Sequence, residues 1–398
     1  MTATQVIEND DAGPGEPVLG LSSSPSSQRQ SVVHFESSFD SQPDAQGSGS
    51  SNAMSEFKDL CRKNGLETFS RTENSDDATI LRFLKAQQFD VKASFEQFHH
   101  FQTWRRENNI RGFYKSLDVD VYDETRKMVG ISDYMKASRS GFFANTLKYP
   151  QWIGRRDHDG RPIYVFQVRK LNKKSLDGYL KFLAKTQSPG PHADSNIPVH
   201  ILHLHALYEN LLQFVFPLLS ELPQPDSKQT ISSSTHIVDI SNVSVFQFWN
   251  IRKYLQEASK IATAHYPETL GKVFVIGAPA FFKSVWEAIS QWFDLATRSK
   301  IFVLSASETK SFLLSNIAAS DLPKEYGGEL EWKWQDQPNL DESTRHLVDE
   351  VYHKTERGEV FSKGPLFFQN GCIQLVGSLG GLPRRNAFCR LNTPPHVE

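Results

Sequence analysis

The chain has 398 residues, enough for two or three domains, and its 44 basic and 46 acidic residues give a formal net charge of −2. This balance excludes the broad basic footprint of nucleic-acid-binding proteins, so no nucleic-acid partner is expected. Three scattered cysteines, Cys61, Cys372 and Cys389, indicate neither a disulfide framework nor a zinc site and favour a reducing compartment.

The N-terminal segment, residues 1–52, is rich in Ser, Gly, Pro and Gln and shows almost no apolar periodicity. We expect it to be disordered, because such a composition buries too little apolar surface to offset the entropy of ordering. Its first residues lack the basic start and apolar core of a signal peptide. The longest apolar stretch, Leu204–Leu219, is interrupted by polar residues and by Pro217, so we expect a soluble protein.

Residues 53–118 are predicted to form a small helical subdomain. Asp76 and Asp77 are suited to cap one helix, and a second helix is expected to begin near Val91. Aromatic residues recur at three-residue spacing along the second helix and therefore share one face. They are Phe95, Phe98, Phe101 and Trp104. We expect the two helices to pack as a hairpin on a larger body.

Residues 119–330 are predicted to form an α/β domain. Three apolar, strand-like runs are separated by helix-like segments, which indicates a parallel sheet with crossover helices. These runs lie at 235–241, 272–279 and 299–305, after an earlier predicted strand at 161–168 and a predicted helix at Ile201–Phe216. A hairpin turn is predicted at 154–162 and, beyond residue 331, a helix near 341–356 and a hairpin over 362–375. The chain contains no phosphate loop, nucleophile elbow or zinc-protease motif, so the domain is interpreted as a container for an apolar ligand rather than an enzyme.

Three histidines, His200, His203 and His205, lie close together at the start of the predicted helix. His200 and His203 share a helical face, so a metal or haem site is one interpretation. The other interpretation is that they are polar positions of an ordinary helix.

The segment Ala280–Phe293 has an apolar surface wider than a surface helix needs. Its members form two stripes: Phe281, Val285, Ala288 and Trp292 in one, and Phe282, Trp286, Ile289 and Phe293 in the other. A helix buried on most sides is one explanation. The other is a movable lid with one stripe facing a cavity and one meeting lipid, in which Phe281, Phe282, Trp286 and Trp292 form the gate.

Three polar residues flank the strands next to this segment. Glu268 precedes the second run, and Thr297 and Lys300 precede the third. If they converge at one sheet edge, Lys supplies charge for a phosphate, Thr a hydroxyl and Glu an acceptor for inositol hydroxyls. Each of them is also compatible with an ordinary capping or surface role.

The chain resembles the CRAL-TRIO family of lipid-binding proteins over about residues 57–330. Several motifs in the same order carry this resemblance. They are D-D-A-T-I-L-R-F-L-K-A-Q-Q-F-D-V at 76–91, R-D-H-D-G-R-P-I-Y at 156–164, I-V-D-I-S at 237–241, Y-P-E-T-L-G-K at 266–272, S-K-I-F-V-L at 299–304 and L-P-K-E-Y-G-G at 322–328. The branch of the phosphatidylinositol/phosphatidylcholine transfer proteins is the most similar, also through P-N-L-D and K-G-P in the C-terminal extension, residues 331–398.

The resemblance implies a CRAL-TRIO fold: a mostly parallel sheet that floors a hydrophobic lipid pocket, a lid helix, and a helical N-terminal subdomain. It also implies that Glu268, Thr297 and Lys300 hold the inositol headgroup. The family carries an arginine in F-L-R-A-R-K, and the matching position here is Gln87.

The same resemblance assigns residues to the lining of the pocket. Tyr164, Tyr208 and Ser234 match the phosphatidylcholine site, whereas His236 stands at a threonine position and Ile153 at a tyrosine position. The second ligand therefore stays open among phosphatidylcholine, another apolar molecule and haem bound through His236.

We predict a protein that is not an enzyme and exchanges phosphatidylinositol, with a possible second phospholipid, between membranes, or presents it to lipid-modifying enzymes. The bound phospholipid is its ligand, with no further cofactor and no metal. We expect a cytoplasmic monomer that associates transiently with internal membranes. The rival interpretations are a carrier or sensor of a sterol, isoprenoid or haem, a lipid hydrolase, and a regulatory module that acts through residues 1–52.

Overall fold

The computed structural model describes most of the chain beyond the N-terminal segment. It covers residues 47–66, 76–122, 150–171, 197–223 and 230–389, with short gaps at 280, 294, 335, 350–351, 356–357, 363 and 385, and a few positions between 172 and 182. The expectation of disorder for residues 1–46 lies outside the described residues. The remaining positions of that segment, 47–52, are helical.

Four helices precede the sheet: α1 Gly47–Lys63, α2 Asp77–Ala86, α3 Val91–Glu107 and α4 Ile110–Ser116. The Asp76 carboxylate accepts a hydrogen bond from Thr79 N at 3.0 Å, which starts α2 as predicted. The packing of the first three helices is aromatic, since Phe98 makes edge contacts with Phe57 and Phe83 at centroid distances of 5.4 and 5.2 Å. The predicted helical hairpin is confirmed.

A five-stranded sheet forms the centre of the fold, in the order β1-β2-β3-β4-β5. Its strands are β1 Gln151–Arg156, β2 Pro162–Gln167, β3 Ser234–Asp239, β4 Leu270–Ile276 and β5 Ile301–Val303. Only β1 and β2 pair antiparallel, through the predicted turn, and β2 to β5 are parallel. The predicted mostly parallel sheet is confirmed.

The connections between the parallel strands are helical, as parallel pairing requires. The connection between β2 and β3 contains α5 Val199–Asn210, which continues through one π-helical segment, Leu211–Val215, into α6 Phe216–Ser220. α7 Val245–His265 joins β3 to β4. The β4–β5 connection contains α8 Phe282–Ile289, a 3-10 turn at Ser290–Trp292, and α9 Leu295–Ser299, and α10 Ala306–Asn316 follows β5.

The two faces of the sheet differ in how completely they are covered. On one face Val165, Ile237 and Phe274 are fully buried in register, and Phe312 of α10 packs on Phe274 at 5.7 Å. Side chains alternate between faces along a strand, so their neighbours form the opposite face. Several residues of that opposite face keep solvent-accessible surface: Tyr164, His236, Val238, Ile301 and Val303. This incompletely covered face is called the open face below.

The C-terminal extension adds a helix and small antiparallel sheets. Its elements are α11 Glu342–Leu347, β6 Tyr352–Thr355, β7 Gly358–Phe361, β8 Leu366–Gln369, β9 Cys372–Leu375, β10 Ser378–Leu379, β11 Leu382–Pro383 and β12 Asn386–Cys389. A helix predicted over 341–356 is therefore wrong beyond Leu347, because its second half pairs as the β6–β7 hairpin. The hairpin predicted over 362–375 is confirmed by β8 and β9.

The cysteine spacing predicts no disulfide framework, and the extension holds an exception. Cys372 is disulfide-bonded, and Cys389 lies opposite it in the pairing of β9 with β12. The spacing of the cysteines in the sequence does not reveal this pairing, because the register of β9 and β12 brings Cys372 opposite Cys389. Cys61 in α1 is a free, buried thiol, and burial raises its pKa to about 12.

A buried ion pair fastens the helical subdomain to the rest of the fold. Arg105 of α3 donates two hydrogen bonds to the Glu209 carboxylate of α5, at 3.0 and 2.7 Å. Both side chains are almost fully buried, at 4% and 0% exposure. Such a pair specifies one docking geometry, since separating the charges leaves one of them unpaired in a dry environment.

We expect Glu209→Ala to lower the free energy of unfolding by about 3–5 kcal/mol, because it leaves the Arg105 guanidinium buried without its carboxylate. Chemical denaturation of the full chain measures this change. The matched control is Asp349→Ala, which removes the exposed partner of Arg345 and should cost less than about 1 kcal/mol. Equal effects of the two substitutions would contradict the structural role of the buried pair.

Candidate functional site

An ion pair lies at the edge of the sheet where β4 and β5 begin. Lys300 Nζ is 2.6 Å from Glu268 Oε2, and about a fifth of each side chain is exposed. The two residues approach because β4 and β5 are parallel, which puts the segments before both strands at the same edge. The charges are thus paired but remain accessible to a ligand.

Thr297 of α9 is connected to this pair through the backbone. The Lys300 N–H donates to the Thr297 carbonyl at 3.2 Å, so the threonine lies one turn before the lysine and is partly buried. The structure therefore brings Glu268 and Lys300 into direct contact and holds Thr297 on the adjoining turn. Their role in headgroup binding stays a prediction.

The backbone of Glu268 is strained. Its φ of +58° lies in the left-handed region, which costs a residue with a side chain about 1 kcal/mol or more. The flanking residues hold this conformation: Pro267 is buried, and the Thr269 hydroxyl donates to the Tyr266 carbonyl at 2.9 Å. In this backbone conformation the Glu268 carboxylate contacts Lys300.

Three of the predicted lining residues form one group on the open face. The Tyr164 ring stacks on His236 at 5.2 Å, and His236 Nε2 lies 2.8 Å from Ser234 Oγ. The Ser234 hydroxyl also donates to the Thr269 carbonyl oxygen at 3.0 Å. Burial lowers the pKa of His236 to about 4, and the imidazole is therefore neutral near pH 7.

The fourth lining residue, Tyr208 of α5, belongs to a different stack. Its ring lies parallel to that of Tyr266 at 4.1 Å, and the Tyr266 hydroxyl is 2.7 Å from His205 Nδ1. The short segment Tyr266–Thr269 thus contacts Tyr208, Lys300 and Ser234 through three of its residues. Of this segment, only Glu268 is predicted from the sequence to be a site residue. The continuous Y-P-E-T motif is the sequence feature from which the roles of Tyr266 and Thr269 could have been predicted.

Two histidines and a tryptophan form an aromatic cluster next to Tyr266, in which His205 is buried and His265 and Trp104 are partly buried. Trp104 stacks on His205 and His265 at 4.5 and 4.2 Å, and His205 Nε2 and His265 Nδ1 are buried without a hydrogen-bond partner. Burial, and next the charge of His100, lowers the pKa of His265 to about 4. His203 and His205 are likewise buried rather than placed on a polar helix face. No group of three or more metal-ligating side chains occurs in the described residues.

Gln87, at the position where the resembled family has arginine, ends α2 and supports α7. Its side-chain amide donates to Gln97 Oε1 at 2.9 Å. Gln97 in turn donates to the carbonyls of Thr263 and Ala264 at the end of α7, at 3.0 and 3.3 Å. These hydrogen bonds connect the end of α2 to the end of α7, two residues before Tyr266.

The predicted gate residues face inward where the structure describes them. Phe282 is buried, and Phe281 and Trp286 are partly buried against the hydrophobic cluster that includes the sheet. Phe282 and Trp286 stack at 6.5 Å. Ala280 and the side chain of Trp292 lie outside the described residues. A gating role for this helix stays a prediction. None of the helices in the described ranges has the length and apolar composition that a membrane crossing needs.

The chain is similar to known proteins in sequence. A family model for the CRAL/TRIO domain matches residues 147–328, and one for the CRAL/TRIO N-terminal domain matches residues 53–100. The Sec14 cytosolic factor of Schizosaccharomyces pombe is 32% identical over 67% of this chain and 79% of that protein. The phosphatidylinositol/phosphatidylcholine transfer protein SFH9 of Arabidopsis thaliana is 28% identical over 64% of this chain and 37% of that protein. A crystal structure of Sfh5 aligns with a TM-score of 0.43 at 17% identity, over 76% of this chain and 96% of that one.

The buried histidines predict a loss of stability in mild acid. Burial, followed by the charge of His200, lowers the pKa of His203 to about 3. The unfolded chain takes up a proton near pH 6.5 while folded His203 does not, so its contribution is intact above that pH and falls below it. Between pH 7 and pH 5 this single group should cost about 2 kcal/mol.

We therefore expect His203→Gln to reduce the difference in unfolding free energy between pH 7 and pH 5 by about 2 kcal/mol. Denaturation curves at both pH values provide the measurement, with His346→Gln on α11 as the exposed-histidine control. An unchanged difference in His203→Gln would contradict a neutral buried imidazole at this position.

Proposed function

The chain belongs to the CRAL/TRIO family, and from that premise we propose that it exchanges phosphatidylinositol, together with a second phospholipid, between membranes. The open face of the sheet carries this proposal. It carries the apolar side chains of Val238, Ile301 and Val303, which keep solvent-accessible surface, whereas Val165, Ile237 and Phe274 on the opposite face are fully buried. Exposed apolar surface inside a domain is unfavourable unless a ligand covers it.

The physical demand for such a protein follows from lipid hydrophobicity. A diacyl lipid has about 30 methylenes, and moving them into water costs on the order of 25 kcal/mol at roughly 0.8 kcal/mol each. A protein pocket as apolar as the lipid chains lowers this free-energy cost, and it does so without making or breaking a covalent bond. The proposed activity accordingly needs no catalytic residue.

The polar edge of the floor is suited to an inositol phosphate. Lys300 would donate to the phosphate, Glu268 would accept from ring hydroxyls, and Thr297 would add a hydroxyl contact. In the absence of headgroup the two charges neutralise each other through their 2.6 Å contact. An arriving headgroup with both an anion and hydroxyl donors can satisfy both partners at once.

Exchange also requires a way in, which we assign to α8. Phe281, Phe282 and Trp286 cover the apolar cluster in the present conformation. We propose that α8 swings away at a membrane and closes over the exchanged lipid, and that Trp292 belongs to the same gate. Tyr164, Tyr208, Ser234 and His236 would line the pocket beneath it.

The setting proposed for this activity is the cytoplasm, with the chain acting as a monomer that contacts internal membranes transiently. The names of two relatives, a cytosolic factor and a transfer protein, support it. Presentation of the bound lipid to lipid-modifying enzymes is compatible with the same site, since both roles require headgroup recognition at an accessible edge.

Lys300→Ala should lower phosphatidylinositol transfer between vesicles about tenfold or more, because it removes a charge-assisted hydrogen bond to the phosphate. Phosphatidylcholine transfer by the same variant should change much less and reports on its folding. The control is Lys324→Ala, which removes an exposed lysine paired with Glu331. Unaltered phosphatidylinositol transfer by Lys300→Ala would refute the assignment of the headgroup site.

Gln87→Arg should strengthen binding of phosphatidylinositol by severalfold, because it adds a cation at the position where the resembled family carries one. The assay is competition between phosphatidylinositol and phosphatidylcholine for the purified chain. Gln87→Leu, which removes the hydrogen bond to Gln97 without adding charge, separates the cation from the support of α7. If both variants shift the preference equally, charge is not the cause.

A further inference from the structure

Helix α7 has apolar residues on two faces, of which the fold uses one. Phe248 and Ile251 are buried, and Tyr254 and Leu255 pack with them against the cluster of the sheet. A helix at the surface of a domain needs only one such stripe. The second apolar face therefore needs another explanation.

The second face points to solvent at the N-terminal end of α7. Val245, Phe246 and Trp249 are 40%, 77% and 46% exposed, and they account for half of the large apolar side chains exposed to this degree in the described part of the chain. Single exposed apolar residues are ordinary, but three on adjoining turns form a patch.

Two basic residues continue the same face. Arg252 and Lys253 follow Val245, Phe246 and Trp249 at the spacing i, i+1, i+4, i+7, i+8, which places all five on one side of the helix. The Arg252 guanidinium lies over the Trp249 ring at 4.7 Å, and Lys253 is exposed. These five residues are called the outer α7 face.

We propose that the outer α7 face docks the protein on a bilayer that contains anionic lipid, an inference that rests on the proposed function and names the membrane-contacting surface for it. Aromatic rings beside cationic side chains are the chemistry of the membrane interface, where the rings enter the headgroup layer and the cations meet lipid phosphates. The positive charge of Arg252 and Lys253 complements an anionic surface.

The contact of this helix with the gate segment favours a lipid surface over a protein partner. α7 contacts the 3-10 turn Ser290–Trp292, which directly follows α8. Docking through α7 therefore places the membrane against a helix that touches the gate segment. In this conformation α8 presents Ser284, Glu287 and Ala288 outward, whereas Phe282 and Val285 are buried and Trp286 is partly buried.

The test is cosedimentation of the full chain with vesicles of phosphatidylcholine containing phosphatidylserine. The double variant Phe246→Ser/Trp249→Ser should bind on the order of thirtyfold more weakly, because two rings no longer enter the interface. The matched control is Leu379→Ser/Leu382→Ser, which removes two exposed apolar residues, 54% and 75% accessible, from the β10–β11 hairpin. The control variant should bind as the unaltered protein does.

A second double variant separates charge from apolar contact. Arg252→Gln/Lys253→Gln should weaken binding to the phosphatidylserine vesicles by roughly fivefold per residue and leave binding to pure phosphatidylcholine vesicles unchanged. Lys324→Gln/Lys333→Gln removes two exposed lysines elsewhere and serves as its control.

The outcomes distinguish this proposal from the proposed function. Loss of vesicle binding in the outer α7 variants alone supports it, provided that the purified variants still contain bound phospholipid. Equal binding by all proteins, equal loss in the hairpin control, or no vesicle binding by the unaltered chain overturns it. In each of these cases, phospholipid still bound to the purified unaltered protein would leave the proposed pocket standing, whereas its absence would count against the pocket as well.

Discussion

The unequal covering of the two faces of one parallel sheet is the constraint on which the rest of the structure depends. Helix α10 packs on one face, where Val165, Ile237 and Phe274 have no exposed surface and Phe302 on the edge strand is partly buried. The other face keeps accessible apolar side chains beneath the helices. A domain that tolerates such a face needs a firm frame around it, and the buried Arg105–Glu209 pair supplies part of that frame by fixing the helical subdomain.

The segment Tyr266–Thr269 connects the open face of the sheet, the Glu268–Lys300 ion pair and helix α5. It holds the strained Glu268 against Lys300, accepts the Ser234 hydroxyl at Thr269, and stacks Tyr266 on Tyr208. These contacts lie within four consecutive residues, so a displacement of the backbone at one of them shifts the others as well. In the proposed function, this continuity lets one short motif contact both the headgroup and the apolar pocket.

Much of this arrangement was predictable because it is local in sequence. The apolar runs that become β3, β4 and β5 and the caps at Asp76 and Asp90 are visible in neighbouring residues. The features that escaped prediction are long-range: Arg105 and Glu209 lie far apart in the chain, and Cys372 meets its opposite residue only through the register of β9 and β12. The second half of the helix predicted over 341–356 is a strand instead, because pairing of β6 with β7 outweighs the local preference for a helix.

Identification of the lipids that co-purify with the full chain tests the central claim most directly. Mass spectrometry of an organic extract should show phosphatidylinositol and a second phospholipid, together approaching one lipid molecule per chain. Lys300→Ala should lose phosphatidylinositol selectively and keep the other lipid. An extract that contains only a sterol, an isoprenoid or haem, or no lipid at all, would contradict the account of the open face as a phospholipid floor.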